Sequence, residues 1–439
     1  MSGQATMRLQ RELRDCRQSL GNQIFVRWDD RDITRCRALI TGPPGTPYAH
    51  GFFEFSLKFP PTYPSSPPKV EILTTNGGRT RFNPNLYAQG KVCLSILGTW
   101  GGKESEQWSS AHGITSVLIS IQSLMSENPY ENEPGYGKDE KRPRDESAPE
   151  LMKAYNLKIA HETIRVSVCG RIEHILGLSK YSILSGATAV SGNSDDGGLA
   201  KVFDDQVKRL FLWYVSEYRA CVERGRRSVQ DGERFRRMPF EMASNIMMGS
   251  FAWSNLQTRL NKLSQILLEE PKGWIRESKD WLVRDITSAS NLREQYLQVR
   301  GGQEGLEGLD VELDEGNPFV WNVTIFGSPM SHYDGGMFKG KMVFHAEFPD
   351  ILPRFLFYTP IYNPHVTTDG VPYYMVEKED SVRDHLQALV SLFSSDPMPD
   401  PSTHVNKAAA VLYFGNKEER KQYMRNTRRC AARSMEEEY

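Results

Sequence analysis

The sequence predicts an α+β protein made of two related units, each a four-stranded antiparallel meander with flanking helices. Three observations predict it. Short strand-like runs with Gly/Pro punctuation fill 24–73. After residue 110 the apolar residues switch to helical spacing. The tail then repeats the pattern. TIFGSPMSHYDGGMFKGKMVFHAEFP (324–349) parallels ITGPPGTPYAHGFFEFSLKFP (40–60), and IYNPHVTTDGVPYY (361–374) parallels RFNPNLYAQGKVCL (81–94). The offset is 285 at Gly42/Gly327 and 280 at Cys93/Tyr373, so the copies differ by small insertions and deletions.

A chain of 439 residues exceeds what one hydrophobic core usually serves, which fits this duplication. Lys+Arg 54 against Asp+Glu 55 leaves a net charge of −1. That balance argues against nucleic acid or an anionic membrane as the main partner. Cysteines at 16, 36, 93, 169, 221 and 430 form no CxxC pair, which fits free thiols in a reducing compartment. The first twenty residues lack the apolar core of a signal peptide, and no uncharged apolar run reaches 18 residues. A cytoplasmic or nuclear location, with no membrane span, is expected.

Taken in order, 6–20 read as an amphipathic helix with Leu9, Leu13, Cys16 and Leu20 on one stripe. Arg8, Arg11, Arg14 and Arg17 lie mostly off it, as a solvated face or a basic docking surface. IFVRWDD, ITRCRALITG, GFFEFSLKF and PPKVEIL are the expected strands; GPPGTP (42–47) and PPTYPSSPP (60–68) are loops. Ile114, Val117, Leu118, Ile121, Leu124 and Met125 predict a buried helix, followed by the polar loop ENPYENEPGYG (127–137). A further helix is expected from Ala148 to about Cys169, then a flexible linker over 171–200 with SGATAVSGNSDDGG (185–198) at its heart. Helical periodicity returns over 201–220 and 252–268, so 201–272 reads as a helical extension. The second copy, 273–439, is expected to begin with a helix near 276–299 and to end with helices around 382–393 and 404–437.

The chemistry concentrates in RFNPNLYAQGKVCLSIL (81–97). Pro84 biases Asn83 toward extended backbone and Gly90 permits a tight reversal, so a thiol and a side-chain amide are brought close. That pair suits acyl chemistry, with Cys93 to carry an acyl group and Asn85 to donate an amide N–H. A free cysteine on its own is most often a core thiol, and an asparagine after proline is ordinary in a turn. It is the order of the motifs that favours the reactive reading.

These motifs resemble those of the ubiquitin-conjugating (E2) enzyme family. The resemblance rests on ITGPPGTPYAHGFFEFSLKFPPTYPSSPPKV (40–70), FNPN with GKVCLSIL, and QWSSAHGITSVLISIQSL (107–124), and spans about the first 165 residues. RFNPNLYAQGKVCLSILGTW and ENPYENEPGY are most similar to the large subgroup that includes E2 Z and the giant E2/E3 hybrids. It implies a catalytic domain over 1–170 that accepts ubiquitin or a ubiquitin-like protein from an E1 as a thioester on Cys93 and passes it to a substrate lysine. Asn85 then either stabilises the oxyanion or holds the active-site loop, with Asn83, Pro84 and Gly90 as loop support. Glu133 matches the acid that would accept the lysine proton, although a solvated acidic loop reads equally well. Arg8 and Arg11 become candidate E1 contacts. An E3 ligase and protein substrates are the further partners, and neither cofactor nor metal is called for.

Three departures qualify the resemblance. Asn83 stands where most E2s carry His. The loop between Cys93 and Trp108 is about seven residues longer than in compact E2s. Ser65 replaces a bulky apolar contact to ligases, which puts standard E3 docking in doubt. In the second copy Tyr373 occupies the cysteine position and His365 the position of Asn85. That half reads as a degenerate, E2-variant-like domain without the reaction, acting as scaffold or binding module. An E2/E3 hybrid ligase and a non-catalytic ubiquitin- or E2-binding scaffold are the alternatives.

Overall fold

Each sheet is built from strands whose alternate residues go to opposite faces; the two inner strands of the first sheet are buried on nearly all of both faces, while those of the second alternate buried with partly buried positions over much of their length. The structure, a computed structural model, describes residues 3–137, 148–179, 199–242, 245–302 and 305–436, apart from the side chains of 4 and 17–19. The chain divides into two compact units, Met1–Lys208 with Tyr218–Leu263, and Arg209–Glu217 with Ser264–Tyr439.

In the first unit helix α1 (Gly3–Ser19) precedes strands β1 (Ile24–Trp28), β2 (Arg35–Thr41), β3 (Phe52–Lys58) and β4 (Lys69–Ile72), ordered β1-β2-β3-β4 and antiparallel throughout. Ala38 opposes Phe55 and Cys36 opposes Leu57, and these join Leu9, Cys16 and helix α2 (Ile114–Ser123) in one core. The other face of β3 carries Phe52 and Glu54. Glu54 accepts from Arg171 Nε at 2.6 Å and lies 3.6 Å from Arg37, so the buried carboxylate is matched by cations.

This pairing corrects one expectation. The helix over 148–169 does not end there: α3 (Ala148–Glu162) passes through a widened π-type turn, Thr163–Gly170, into α4 (Arg171–Ile175). Arg171 is buried and also donates to Asp204 at 2.8 Å, so 171–175 is anchored and is not the start of a linker. Residues 180–198, where the flexible stretch was expected, lie outside the described residues.

Both helices of the extension run past their expected ends. Helix α5 (Asp204–Ser228) is followed by α6 (Trp253–Arg284), which tolerates Pro271 in its interior. Leu256, Leu260 and Leu263 belong to the first unit, while Ser264 onward belongs to the second. The expected boundary at 272/273 therefore falls inside a helix. Asp285 ends α6 and caps α7 (Ile286–Gly301) by accepting from Ser288 N at 3.1 Å.

The second unit repeats the meander as β5 (Leu309–Asp314), β6 (Asn317–Phe326), β7 (Met337–Val343) and β8 (Arg354–Phe357), again in sequential antiparallel order. Helix α8 (Val382–Ser394) follows, capped by Ser381. The single helix expected over 404–437 is split into α9 (Lys407–Phe414) and α10 (Lys417–Arg433). Asn416 and Glu419 form a reciprocal capping box that starts a new helix just past Gly415. Among the described residues no helix is long and apolar enough to cross a membrane.

His385 on α8 is fully buried, with Nε2 against the Glu379 carbonyl at 3.0 Å. Burial pushes its ring down to about 4. The unfolded ring takes up a proton near pH 6.5 and the folded one does not. This contribution to stability is therefore intact above about pH 6.5 and is lost as the pH falls toward 4, at up to about 1.4 kcal/mol per pH unit. Urea midpoints of the native chain between pH 7 and 4.5 should show that slope, and His385→Asn should flatten it. An unchanged slope in the variant would assign the acid sensitivity to other groups.

Candidate active site

The Asn-Pro-Asn turn is held by a buried hydrogen-bond network. Asn83 is fully buried; its Nδ2 donates to Tyr48 OH at 3.0 Å and to the Leu124 carbonyl at 2.8 Å. Tyr48 OH in turn donates to the Phe82 carbonyl at 2.7 Å. Asn83 Oδ1 accepts the backbone N–H of Asn85 at 2.9 Å, so every polar atom of this amide is used. Asn132, from the polar loop after α2, also donates to the Leu124 carbonyl at 2.9 Å. Where a histidine was the family expectation, an asparagine provides both a donor and an acceptor to the turn.

Cys93 is joined to that turn by its backbone. Its N–H donates to the Asn85 carbonyl at 2.9 Å, and Asn85 Nδ2 donates to the Cys93 carbonyl at 2.9 Å. Asn85 thus holds Cys93 through both its backbone carbonyl and its side-chain amide. Gly90 takes φ +98, which an L side chain rarely adopts; an added Cβ would also crowd the Ile72 carbonyl at 3.3 Å. The reversal sends Val92 back to pair with Leu86 and carries Cys93 to Asn85. Cys93 itself is only 2% exposed.

Glu133 is linked to the same turn by Arg81. The Arg81 guanidinium donates to the Pro84 carbonyl, lies 3.5 Å from Glu133 Oε2, and stacks 4.4 Å above the Tyr87 ring. Partial burial raises the Glu133 carboxyl above the ordinary glutamate range, and the Arg81 charge opposes that rise only in part. Arg8 is half-used internally. It pairs with Glu12 and donates to the His112 carbonyl at 3.1 Å, while Arg11 is 81% exposed and lies 3.9 Å from Asp15. Ser65 and the 98–107 segment of the lengthened loop are exposed.

The second unit reproduces the hydrogen bonds made by Asn83 and Tyr48. Asn363 Nδ2 donates to Tyr333 OH at 3.0 Å and to the Leu392 carbonyl at 3.0 Å, and Tyr333 OH donates to the Tyr362 carbonyl at 2.9 Å. His365 N donates to Asn363 Oδ1 at 2.8 Å, and Tyr373 N donates to the His365 carbonyl at 2.7 Å. The side chains differ. His365 Nδ1 donates to the Thr403 carbonyl at 2.9 Å while Nε2 accepts from Met398 N at 2.9 Å, which fixes a neutral ring with no N–H left over. Burial lowers its proton affinity accordingly. Tyr373 is buried, its ring 4.5 Å from that of Trp213, whose Nε1 donates to the Pro372 carbonyl at 2.8 Å.

Tyr48, Asn132, Arg81 and Trp213 were not singled out from sequence. Tyr48 had a signal: Gly42-x5-Tyr48 recurs as Gly327-x5-Tyr333. In each copy a Cβ on the glycine would sit within 1.8 Å of that tyrosine's carbonyl oxygen, so glycine and tyrosine are two parts of one turn.

Fold and site together define a protein of the E2 type. The chain belongs to the ubiquitin-conjugating enzyme family, whose model matches residues 8–151 and again 292–431. It is 50% identical over 172 residues to ubiquitin-conjugating enzyme E2 Z of Danio rerio, covering 39% of this chain and 49% of that protein. It is 44% identical over 158 residues to the dual E2 ubiquitin-conjugating enzyme/E3 ubiquitin-protein ligase BIRC6 of Homo sapiens, covering 36% of this chain and 3% of that one. An E2 domain of a Toxoplasma gondii ubiquitin conjugating enzyme aligns with TM-score 0.28 and 29% identity, covering 37% of this chain and 98% of that one. The match thus spans about half of the length of E2 Z and a small part of the hybrid ligase.

Proposed function

We propose that the first unit is an active E2: an E1 passes ubiquitin or a ubiquitin-like protein to Cys93 as a thioester, and a lysine amine takes it. The observation that carries this reading is the coupling of Cys93 to Asn85 by two 2.9 Å bonds on a fully satisfied Asn83 floor. Thiol-to-thioester exchange conserves bond type, and opening of the loop frees the Asn85 amide to meet the oxyanion. Arg11 is the better placed of the two E1 candidates, because Arg8 is committed to Glu12 and His112. The second unit acts as a non-catalytic domain, with Tyr373 packed under Trp213 and His365 spent on two backbone groups. The test is a charging panel with E1 enzymes, ATP and a series of modifiers. A thiol-sensitive adduct supports the reading, and failure with every pair sinks it.

Glu133 is proposed as the acceptor of the lysine proton. Its raised carboxyl lies nearer the working pH than an ordinary glutamate, which suits a general base. Glu133→Gln should slow single-turnover discharge to free lysine about 10²-fold and leave charging alone. In the native chain discharge should fall on acidification through the raised value, because the protonated acid accepts nothing; the variant should lose that step. Discharge at the native rate would remove Glu133 from the reaction.

Similarity to a hybrid ligase and the exposed Ser65 favour a second reading, an E2 that modifies substrates without a separate ligase. Strict dependence of substrate modification on an added E3 would dismiss it.

A further inference from the structure

Within the second unit, the 209–217 segment of α5, the 267–275 segment of α6, strands β7 and β8 and the 371–374 loop enclose a cavity of about 90 Å³. Its charged lining is of one sign: Arg209, Lys272, Lys341 and Arg354 contribute, and no carboxylate does. Three of these cations have acidic partners, Lys272 with Glu269 at 2.7 Å, Lys341 with Asp314 at 3.2 Å and Arg354 with Glu270 at 3.2 Å.

Arg209 differs. It is 7% exposed, and its guanidinium lies 5.1 Å from the Trp213 ring and 5.9 Å from the Tyr374 ring. Among the described residues no carboxylate pairs with it. Two aromatic faces flank the guanidinium without neutralising it, so its nitrogens can still receive an anion. Most of the remaining wall is apolar, from Leu212 and Leu268 to Phe355. We propose that this cavity binds a small amphipathic carboxylate, its head on Arg209 and its aliphatic tail against the apolar wall.

A carboxylate matches the planar guanidinium fork and, as a monoanion, is easier to desolvate than a phosphate dianion. An apolar cavity of about 150 Å³ takes benzene's six carbons, so one of about 90 Å³ takes three or four tail carbons, and with the carboxylate on Arg209 the acid has about four or five. No residue of the 81–97 stretch lines this cavity.

The test is calorimetric titration and thermal unfolding of the full chain with sodium butanoate, pentanoate, hexanoate and octanoate, using hexylammonium and inorganic phosphate as controls. Affinity should rise about fourfold from butanoate to pentanoate and then level off as the cavity fills. Neither control should bind. Arg209→Gln should lose at least tenfold in hexanoate affinity and unfold at the same or a higher temperature than the native chain, since the charge removed had no counter-ion. Leu268→Phe, which fills the cavity and keeps Arg209, should also lose the tail-length dependence. Absence of hexanoate binding to the native chain would overturn the proposal. So would equal binding of hexylammonium, or undiminished binding by a folded Arg209→Gln chain.

Discussion

Cys93→Ala is expected to abolish the modifier adduct completely while leaving a folded chain. Charging needs a nucleophile at this position, and no backbone group can replace the sulfur. The fold needs much less from it. The Cys93 N–H and carbonyl, not the thiol, make the bonds to Asn85. Losing one buried sulfur leaves a void of about one heavy atom, a cost of about 1 kcal/mol. Loss of charging with a melting temperature lowered by only a few degrees would therefore isolate the chemistry. Cys93→Ser should give an adduct that resists thiols, because the bond formed is then an ester. The converse experiment asks whether a thiol is sufficient. In Cys93→Ala/Tyr373→Cys the second copy gains a sulfur on the same backbone scaffold, yet Trp213 packs 4.5 Å from that position and His365 has no N–H to give. No adduct is expected. A charged double variant would show that the second copy lacks only its thiol, and the non-catalytic reading of that unit would fall.

The division between scaffold and reaction was partly legible in the sequence. Asn-Pro recurs at 83–84 and 363–364, and the glycine at 90 recurs at 370. Gly370 has φ +83, and an added Cβ would meet the Phe357 carbonyl at 2.3 Å, so this glycine is demanded by the turn and says nothing about catalysis. The strands were legible because alternation and Gly/Pro breaks act over a few residues. Long-range partners were not. Tyr48 meets Asn83 across 35 residues, and Arg171 meets Glu54 across 117, so local periodicity could not show that 171–175 was anchored. The α5 stripe of Phe203, Val207, Leu210, Phe211, Tyr214 and Tyr218 read as one packing face, whereas the helix is buried on more than that stripe. Trp213 lies beside the stripe and covers Tyr373. Helix ends followed capping chemistry, Asp285 and Asn416 above all, which apolar spacing does not register.

The matched pair Asn83→Ala and Asn363→Ala separates the two roles energetically. Each change removes an amide that donates to a tyrosine hydroxyl and to a helix-end carbonyl, and that accepts the N–H of the residue two positions on. Each leaves that N–H without its partner inside the protein, a loss of about 1–3 kcal/mol for the orphaned group. The remaining groups fare differently in the two copies. In the first, the Leu124 carbonyl keeps the Asn132 amide at 2.9 Å; in the second, none of the hydrogen bonds described provides the Leu392 carbonyl with a side-chain amide besides Asn363. Destabilisation of about 2–4 kcal/mol is expected for each, with Asn363→Ala the costlier. The functional consequences should diverge. Asn83→Ala loosens the turn that carries Asn85 and slows transfer from Cys93, while Asn363→Ala leaves charging and discharge at native rates below its melting temperature. Denaturant unfolding and single-turnover discharge on the same preparations decide the matter. Equal loss of transfer in both variants would mean that the second copy's turn supports the reaction, and the separation drawn here between shared scaffold and single chemistry would have to be abandoned.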